Sequence, residues 1–362
     1  MKKLKDFERE LNKCSKCGLC QSACPLFKIN PNDCIASKGK FIMLHGVTKG
    51  DLKLTKNINK YLDLCLKCGK CNKFCPSEID VCQIVHCAKY EYEKNKLSGK
   101  LTQTFQSNFI FNTVINIGKI LSKPFRPIKQ KAKTGVKVIY FKGCVNQIFP
   151  HTDRYLNKIF KNKLEIVEPN FECCGLPFLS EGNMKRFISA AKNNIKKFRC
   201  DFDYVATDCA SCEFTLLQYP KYLNEDFDIP LSKFVNWGEI IADKNIKFEY
   251  KKPIKVTFHK PCHLKDDRFF EYIIQNNCKN VEYVKCEDYD ACCGFAGSFA
   301  IKNPDEFNQL SRQKAINIDK TNAHYLITTC PSCTLGLKYA LKQIGSKTKV
   351  MSLLEFLSKG VA

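Results

Sequence analysis

The chain has 362 residues with 24 cysteines and a formal net charge of +23 at pH 7, and this length allows two or three domains with separate cores. Residues 1–20 are charged throughout, so we expect no signal peptide, and so many cysteines then indicate reduced thiols for soft metals rather than a secreted disulfide framework. The lysines are scattered without an arginine-rich patch, which argues against a nucleic-acid partner, and no apolar run approaches the ~18 residues of a membrane-spanning helix.

Residues 1–97 contain eleven cysteines, and eight of them form two clusters with the same C-x2-C-x2-C-x3-C-P pattern. The clusters are Cys14, Cys17, Cys20 and Cys24, and Cys65, Cys68, Cys71 and Cys75. Three thiolates at this spacing surround one face of a metal-sulfur cube, while the fourth, followed by proline, points elsewhere. Structural zinc normally takes two separated pairs of ligands, so a complete pattern that occurs twice favours iron-sulfur clusters.

This pattern resembles that of two-cluster ferredoxins, in which the fourth cysteine of each run serves the other cluster. The resemblance implies two cubane [4Fe-4S] clusters in residues 1–97. One would be bound by Cys14, Cys17, Cys20 and Cys75, and the other by Cys65, Cys68, Cys71 and Cys24. The spaced apolar positions of the insertion at 35–63 predict helices, so the module is similar to the α-helical ferredoxins of respiratory dehydrogenase iron-sulfur subunits.

Residues 98–135 lack cysteine and have a different composition. Apolar residues between Phe105 and Leu121 recur at roughly helical spacing, and a basic, proline-broken segment follows at 123–133. We expect an amphipathic, basic linker whose helix packs on its own domains. The alternative is an interfacial membrane helix beside anionic lipid, which would make a cytoplasmic protein peripheral on the inner face of the membrane.

Two copies of one unit follow the linker, and we expect them at 136–250 and 251–362. The predicted strands are 136–141 and 203–207 in the first copy and 254–258 and 324–329 in the second. The predicted helices between the cysteine motifs are 181–198 and 305–319. This alternation of strands and helices indicates two α/β domains.

Each copy has the same three cysteine motifs: a first cysteine, a Cys-Cys-Gly triplet and a CxxC pair. The cysteines are Cys144, Cys173, Cys174, Cys209 and Cys212 in the first copy, and Cys262, Cys292, Cys293, Cys330 and Cys333 in the second. The intervals are 29 and 30 residues up to the triplet and 35 and 37 residues up to the CxxC pair, which indicates a duplication. Adjacent thiols reach one centre only if the backbone bends or the centre has several metal atoms, and the neighbouring glycine permits such a bend.

The triplet pattern resembles the cysteine-rich CCG domain of heterodisulfide reductase catalytic subunits. The whole layout is similar to the iron-sulfur subunits of glycolate and lactate oxidases and of anaerobic glycerol-3-phosphate dehydrogenase. This resemblance implies an α+β multidomain fold, with an N-terminal α-helical two-cluster ferredoxin module followed by two duplicated α/β CCG domains. It also implies that the ten CCG cysteines bind one or two further iron-sulfur clusters, which in heterodisulfide reductase are non-cubane [4Fe-4S] clusters. Zinc in one CCG domain stays an alternative, because five thiols also offer a tetrahedral set.

The resemblance implies an iron-sulfur electron-transfer subunit of an oxidoreductase complex. The chain has no GxGxxG after a strand and no Walker loop, so we expect a partner FAD-containing dehydrogenase that oxidises a 2-hydroxy acid, glycolate or lactate. This chain would pass the electrons toward quinone or another electron carrier. Both CxxC pairs are complete, whereas degenerate pairs are expected in the glycolate oxidase type. Complete pairs favour the alternative, a heterodisulfide-reductase-like catalytic subunit that reduces a disulfide at the CCG clusters; no catalytic residue is assigned.

The remaining cysteines and two histidines complete the set of candidates. Six cysteines lie outside the motifs, namely Cys34, Cys82, Cys87, Cys200, Cys278 and Cys286. We expect these to be small buried residues. His263 follows Cys262 and could donate to a cluster sulfur, and His259 lies on the preceding strand. For both histidines an ordinary core or solvated role is the alternative.

Overall fold

The computed structural model describes residues 2–95, 135–148, 151–161, 163–198, 201–224 and 229–361. These residues form a mixed structure of helices and two parallel sheets. The linker expected at 98–135 lies outside the described residues except for its last position, and Cys200 also lies outside them. The expectations for the linker and for Cys200 therefore stay predictions.

The N-terminal part, residues 2–95, is helical. After a 3-10 helix at Leu4–Phe7, its helices are α1 Glu8–Asn12, α2 Leu19–Ser22, α3 Pro25–Ile29, α4 Ser37–Lys49, α5 Lys56–Asp63, α6 Lys70–Lys73 and α7 Val81–Asn95. Helices α4 and α5 confirm the helical prediction for the insertion between the two cysteine runs. Helix α5 begins after Thr55, whose side-chain oxygen accepts a hydrogen bond from the Ile58 N–H and so satisfies a free donor of the first turn.

The two C-x2-C-x2-C runs have the same backbone conformation. In the first run Lys16 and Gly18 have φ of 58° and 85°, and in the second Lys67 and Gly69 have φ of 52° and 69°. Glycine adopts this left-handed region without a Cβ clash, and each glycine then starts a short helix that carries the third cysteine. The same local sequence therefore forms the same loop twice.

The two sheets have four parallel strands each. The strands are β1 Lys137–Tyr140, β2 Glu165–Val167, β3 Tyr204–Thr207 and β4 Phe234–Asn236 in the first sheet, and β5 Phe248–Phe258, β6 Cys278–Tyr283, β7 Tyr325–Thr328 and β8 Lys349–Ser352 in the second. Their orders are β2-β1-β3-β4 and β6-β5-β7-β8, which is the same topology in both halves. The register is also equivalent, since Val138 pairs with Tyr204 and Val256 pairs with Tyr325.

Helices follow the strands in both halves. They are α8 Gly143–Ile148, α9 Thr152–Phe160, α10 Leu176–Ser180, α11 Met184–Ile195, α12 Ala210–Leu223 and α13 Trp237–Asp243 in the first half, and α14 Arg268–Asn277, α15 Phe299–Lys302, α16 Pro304–Asp319, α17 Pro331–Gln343 and α18 Leu353–Lys359 in the second, with a 3-10 helix at Leu231–Lys233. The predicted helices at 181–198 and 305–319 correspond to α11 and α16.

Strand β5 is longer than the sequence pattern indicates. It begins at Phe248 rather than at Ile254, so it crosses the position between residues 250 and 251 where the second unit was expected to begin. Phe248 and Tyr250 are buried while Glu249 between them is exposed, which is the alternation of a strand with one buried face. Lys251 and Lys252 interrupt the alternation of apolar and polar residues, so the sequence does not indicate the first part of the strand.

The two sheets and their helices share a continuous hydrophobic core. Trp237 is fully buried, with its ring centroid 5.8 Å from that of Tyr140 and 5.4 Å from that of Phe160. The N-terminal part has its own core, and a further cluster joins it to the second half through Leu64 and Leu66 on one side and Phe299 on the other. Among the described residues, no helix is both long enough and apolar enough to cross a bilayer.

Candidate metal centres and the cavity between them

The CCG cysteines follow the carboxyl ends of the central strands. Cys144 follows β1 and Cys209 follows β3 in the first half, and Cys262 follows β5 and Cys330 follows β7 in the second. In an open parallel sheet of this order, ligands bind in the crevice outside the strand ends, where neighbouring connections leave in opposite directions. The topology therefore brings cysteines from distant parts of each copy to one edge.

The Cys-Cys-Gly triplets form a tight turn in both halves. Gly175 has a φ of 93° and Gly294 a φ of 77°, a backbone conformation in which a side chain would be strained. The Gly175 N–H lies 3.5 Å from the Cys173 sulfur, and the Gly294 N–H lies 3.4 Å from the Cys292 sulfur. The bend that adjacent thiols need is thus made by the glycine, whose N–H also donates to a cysteine sulfur.

The CxxC pairs lie at helix N-termini. Cys209 caps α12 and Cys330 caps α17, and the second cysteine of each pair lies in the first turn. The partial positive charge of a helix N-terminus stabilises a thiolate. The pKa of Cys330 is well below its usual value, mainly because the Cys209 thiol donates to it.

The cysteine sulfurs in each half lie close together without being bonded to one another. Cys144 and Cys173 are 3.4 Å apart at sulfur, and Cys293 and Cys333 are 3.2 Å apart. A disulfide would need about 2.05 Å, and all the cysteines that the structure describes are free thiols. Hydrogen bonds from its neighbours, first of all Cys292, lower the pKa of Cys293 to about 5. Buried, converging soft donors fit iron-sulfur clusters, and they fit zinc as well.

The two CCG sets meet in one cavity of about 110 Å³. The cysteines that line it are Cys144, Cys174, Cys209, Cys212, Cys262, Cys292, Cys293, Cys330 and Cys333. The thiols of Cys209 and Cys330 contact each other, and the Ala210 N–H donates to the Thr329 carbonyl at 2.9 Å. The two CxxC turns are therefore in direct contact, and the remaining lining is mostly apolar, with Leu66 and Phe295.

His263 connects this cavity to the N-terminal part. Its Nε2 lies 2.9 Å from the Lys67 carbonyl oxygen and its Nδ1 lies 3.2 Å from the Ser211 hydroxyl. A carbonyl only accepts, so Nε2 carries the proton and Nδ1 accepts from Ser211. Ser211 in turn lies 3.8 Å from the Cys330 sulfur, and the His263 ring stacks on Phe214 with a centroid distance of 4.4 Å. In the protein alone, His263 thus contacts cluster cysteines through Ser211 rather than directly.

The structure also brings ferredoxin-type cysteines together. Cys14, Cys17, Cys20 and Cys75 line one small pocket of about 30 Å³. Cys17 is the exposed member of this group, and its pKa is lowered, mainly by the Leu19 backbone N–H. Cys24 lies near Cys65, and burial raises the pKa of Cys24 while the Cys65 charge adds to that effect.

The second ferredoxin-type set packs directly against the second CCG set. Cys24 and Cys68 share a cluster of packed apolar residues with Cys262 and Cys292. Burial raises the pKa of Cys68 well above its usual value, and the neighbouring Cys262 charge acts in the same direction. The second ferredoxin-type set therefore lies beside the second CCG set, which in turn shares the cavity with the first CCG set.

Two buried lysines near these cysteines are absent from the sequence-based candidates. Lys40 is 2% exposed, and its ammonium donates to the carbonyls of Ile35 and of Leu64, the latter at 3.0 Å. Burial lowers the pKa of Lys40, and the charges of Cys65 and other neighbouring cysteines act in the opposite direction. Lys67 lines the cavity, and burial lowers its pKa to about 8. Neither lysine stands out in the sequence of a lysine-rich chain. Lys40 lies four residues before the buried Leu44 in α4, and this spacing places it on the buried face of the helix.

The described cysteines outside the motifs have different environments. Cys82, Cys87 and Cys286 are buried as expected, whereas Cys34, in the turn between α3 and α4, and Cys278, at the start of β6, are half-buried. Cys82 donates a hydrogen bond to Cys71 and lowers the pKa of that thiol to about 7. Cys82 is therefore a neighbour of a candidate ligand.

Comparisons with known families identify three domains in the chain. Residues 138–217 and 256–338 match the model of the cysteine-rich CCG domain, and residues 10–79 match the model of the 4Fe-4S dicluster domain. The chain is an iron-sulfur protein with a 4Fe-4S dicluster domain and two CCG domains. The family resemblance that the cysteine motifs indicated is thereby confirmed.

Individual relatives come from several oxidoreductases. The chain is 28% identical to one subunit of the fumarate reductase (CoM/CoB) of Methanothermobacter marburgensis, over 96% of this chain and 72% of that protein. It is 22% identical to the probable glycolate oxidase iron-sulfur subunit of Bacillus subtilis, over 95% of this chain and 92% of that protein. Lactate utilization protein A of Bacillus pumilus is 29% identical over 51% of this chain and 82% of its own length.

A solved structure has a similar fold. The crystal structure of a hypothetical protein from Helicobacter pylori superimposes with a TM-score of 0.56 at 8% identity, over 99% of this chain and 75% of that one. At this identity the likeness concerns the fold alone.

Proposed function

We propose that this protein is the iron-sulfur electron-transfer subunit of an oxidoreductase complex. A partner FAD-containing dehydrogenase would oxidise a 2-hydroxy acid, glycolate or lactate, and this chain would pass the electrons toward quinone or another electron carrier. The observation that carries the proposal is the proximity of the second ferredoxin-type set to the second CCG set, above all of Cys68 to Cys262 and Cys292. The named glycolate and lactate relatives supply the proposed substrate class.

The residues present fit iron-sulfur clusters, because the ferredoxin-type sets offer half-buried or exposed thiols and the CCG sets offer mostly buried thiols, four or five in each set. When bound, such clusters accept and release single electrons, which a flavoprotein needs after a two-electron oxidation. The protein's own contribution is to hold the sets close together and to keep water away. Leu64, Leu66 and Phe299 are each at most 7% exposed and lie between the ferredoxin-type and CCG parts.

A second candidate function is the reduction of a disulfide at the CCG centres. It is favoured by the shared cavity, in which sulfurs of both CCG sets face one space beside Lys67 and His263. A substrate in this space would contact both centres, which is unnecessary for simple electron relay. The complete CxxC pairs and the resemblance to a CoM/CoB-type reductase subunit point the same way.

The two functions are separated by the acceptor. Anaerobically purified protein, reduced and then mixed with either a small disulfide or a menaquinone analogue, is followed by the return of cluster absorbance. We expect fast reoxidation by the quinone analogue and slow reoxidation by the disulfide. Turnover with the disulfide alone would replace the first proposal by the second. Protein that contains zinc and no iron or sulfide would contradict both.

Partner identity is tested by anaerobic co-purification from the native cells. We expect a flavoprotein that reduces a dye with glycolate or lactate and that loses contact with this chain when the N-terminal module is altered at exposed Cys17. Recovery of a partner that acts on neither hydroxy acid would refute the assigned substrate class while leaving electron transfer intact.

We also propose a peripheral position on the inner face of the cytoplasmic membrane. The net charge of +23 supports it, since anionic lipid attracts basic proteins. Co-sedimentation with anionic vesicles at low and moderate salt is the test. Binding that weakens as salt increases is expected, and no binding at either salt concentration would end this proposal.

A further inference from the structure

His259 is a buried histidine whose ring nitrogens lack hydrogen-bond partners. It follows the last residue of β5, is fully buried, and neither Nδ1 nor Nε2 makes a hydrogen bond of normal geometry within the described residues. The Tyr289 carbonyl is nearby, but it accepts the Lys260 N–H at 3.0 Å. Burying an imidazole without partners costs free energy, so a group that is part of the working protein is expected to satisfy it.

The neighbours of His259 indicate what that group is. One ring nitrogen and the sulfurs of Cys293 and Cys333 all lie within 4.8 Å of one another, and the two sulfurs are 3.2 Å apart. A neutral imidazole nitrogen beside two thiolates is a donor set that iron and zinc both accept.

We propose that His259 is a nitrogen ligand of the metal centre in the second CCG domain, in addition to the cysteines of that domain. Metal-bound histidines commonly have a backbone carbonyl beside the ring, and the Tyr289 carbonyl lies near His259. The inference rests on the proposed iron-sulfur centre but is independent of which partner or acceptor that centre serves.

The first CCG domain has a phenylalanine at the matching position. The place of His259, three residues before Cys262, corresponds to that of Phe141 before Cys144. Phe141 is fully buried and packs on Phe171 with a centroid distance of 4.8 Å. The two centres are therefore unequal despite the duplication. A neutral ligand adds no negative charge and, like histidine in Rieske clusters, favours a higher reduction potential than thiolate alone.

The test substitution is His259→Phe, because phenylalanine occupies the matching position of the first CCG domain. The control is His45→Phe. His45 is distant from the CCG cysteines along the chain and forms a hydrogen bond with Asn12 in an exposed position. Anaerobic holoprotein is reduced stepwise, and nitrogen hyperfine coupling is measured by pulsed EPR together with iron content. We expect strong nitrogen coupling in the natural protein and in His45→Phe, and its loss in His259→Phe together with a lower midpoint potential of one centre only.

Further measurements keep the proposal falsifiable. If His259→Phe fails to bind iron, His263→Phe protein containing 15N-labelled histidine decides, because the label changes the coupling of a ligated His259 from a 14N to a 15N pattern. Coupling that survives in His259→Phe and vanishes in His263→Phe would overturn the assignment. Weak nitrogen coupling, together with an exchangeable deuteron in heavy water, would show that His259 only donates a hydrogen bond to the centre. This result would also overturn the assignment of His259 as a ligand. Absence of iron from the CCG domains would instead refute the proposed function.

Discussion

The Cys-Cys-Gly turn of the first CCG domain allows a graded test of the candidate site. A Cβ added at Gly175 would lie 2.7 Å from the Cδ2 atom of Phe187, whose side chain is fully buried and cannot move away. The left-handed φ of 93° adds a cost of about 1–2 kcal/mol for any side chain. The clash adds roughly 1–3 kcal/mol, so Gly175→Ala should cost about 2–5 kcal/mol in total.

This strain acts on the neighbouring ligands. The Gly175 N–H points at the Cys173 sulfur, so a shift of the turn displaces both thiols of the triplet. We expect Gly175→Ala to lose the iron of one CCG centre and to keep the ferredoxin-type clusters. The assay is iron and sulfide content of anaerobically purified protein, with the apparent melting temperature as a second measure.

Two other glycines calibrate the result. Gly294→Ala in the second copy places its Cβ 3.1 Å from Phe307, a milder contact, and should lose less iron. Gly345→Ala shares a positive φ of 70° but has no atom within 4 Å, so it isolates the backbone cost and should retain all the iron. Equal effects of Gly175→Ala and Gly345→Ala, or full iron loading of Gly175→Ala, would refute the steric reasoning.

Four further substitutions test charge and ligation. Lys40→Met removes a buried cation beside Cys65 and should lower the midpoint potential of one ferredoxin-type cluster by on the order of 100 mV in a redox titration; an unchanged potential would contradict this. Burial raises the pKa of the Glu213 carboxyl group to about 8, so the folded state binds the carboxyl proton more tightly than the unfolded state does. The free energy of unfolding therefore decreases as the pH rises from about 4 to about 8. Glu213→Gln should therefore raise the apparent melting temperature by a few degrees at pH 8 and leave it unchanged at pH 4; equal shifts at both would be evidence against it. Cys24→Ser should lose one cluster by EPR while Cys82→Ala keeps both; loss in Cys82→Ala would make Cys82 a ligand.

Much of the candidate site follows from local sequence. The C-x2-C-x2-C turns are short, and their lysine and glycine residues adopt the left-handed conformations that draw three sulfurs together. The central strands β1, β3, β5 and β7 each end within a few residues of a motif cysteine, so their positions could be predicted from the β-branched runs. Strands β2 and β4 span three residues each, too few for a recognisable periodic pattern.

Other parts of the site depend on residues that are far apart in sequence. His263 and Lys67 are 196 positions apart, yet the imidazole donates to the Lys67 carbonyl. The contact between Cys209 and Cys330 likewise joins the two copies. No motif encodes such pairs, because they arise only when separately formed units pack on each other.

The sequence by itself determined the number and type of the cysteine motifs, the duplication and the resemblance to CCG proteins, because spacing along the chain limits which thiols can share a metal centre. Tertiary structure alone decided that the two CCG sets open into one cavity, that Lys40 is buried beside a ferredoxin-type set, and that His259 faces Cys293 and Cys333. The reason is physical. Ligand spacing is a property of a few neighbouring residues, whereas burial and proximity across domains depend on how the whole hydrophobic core packs.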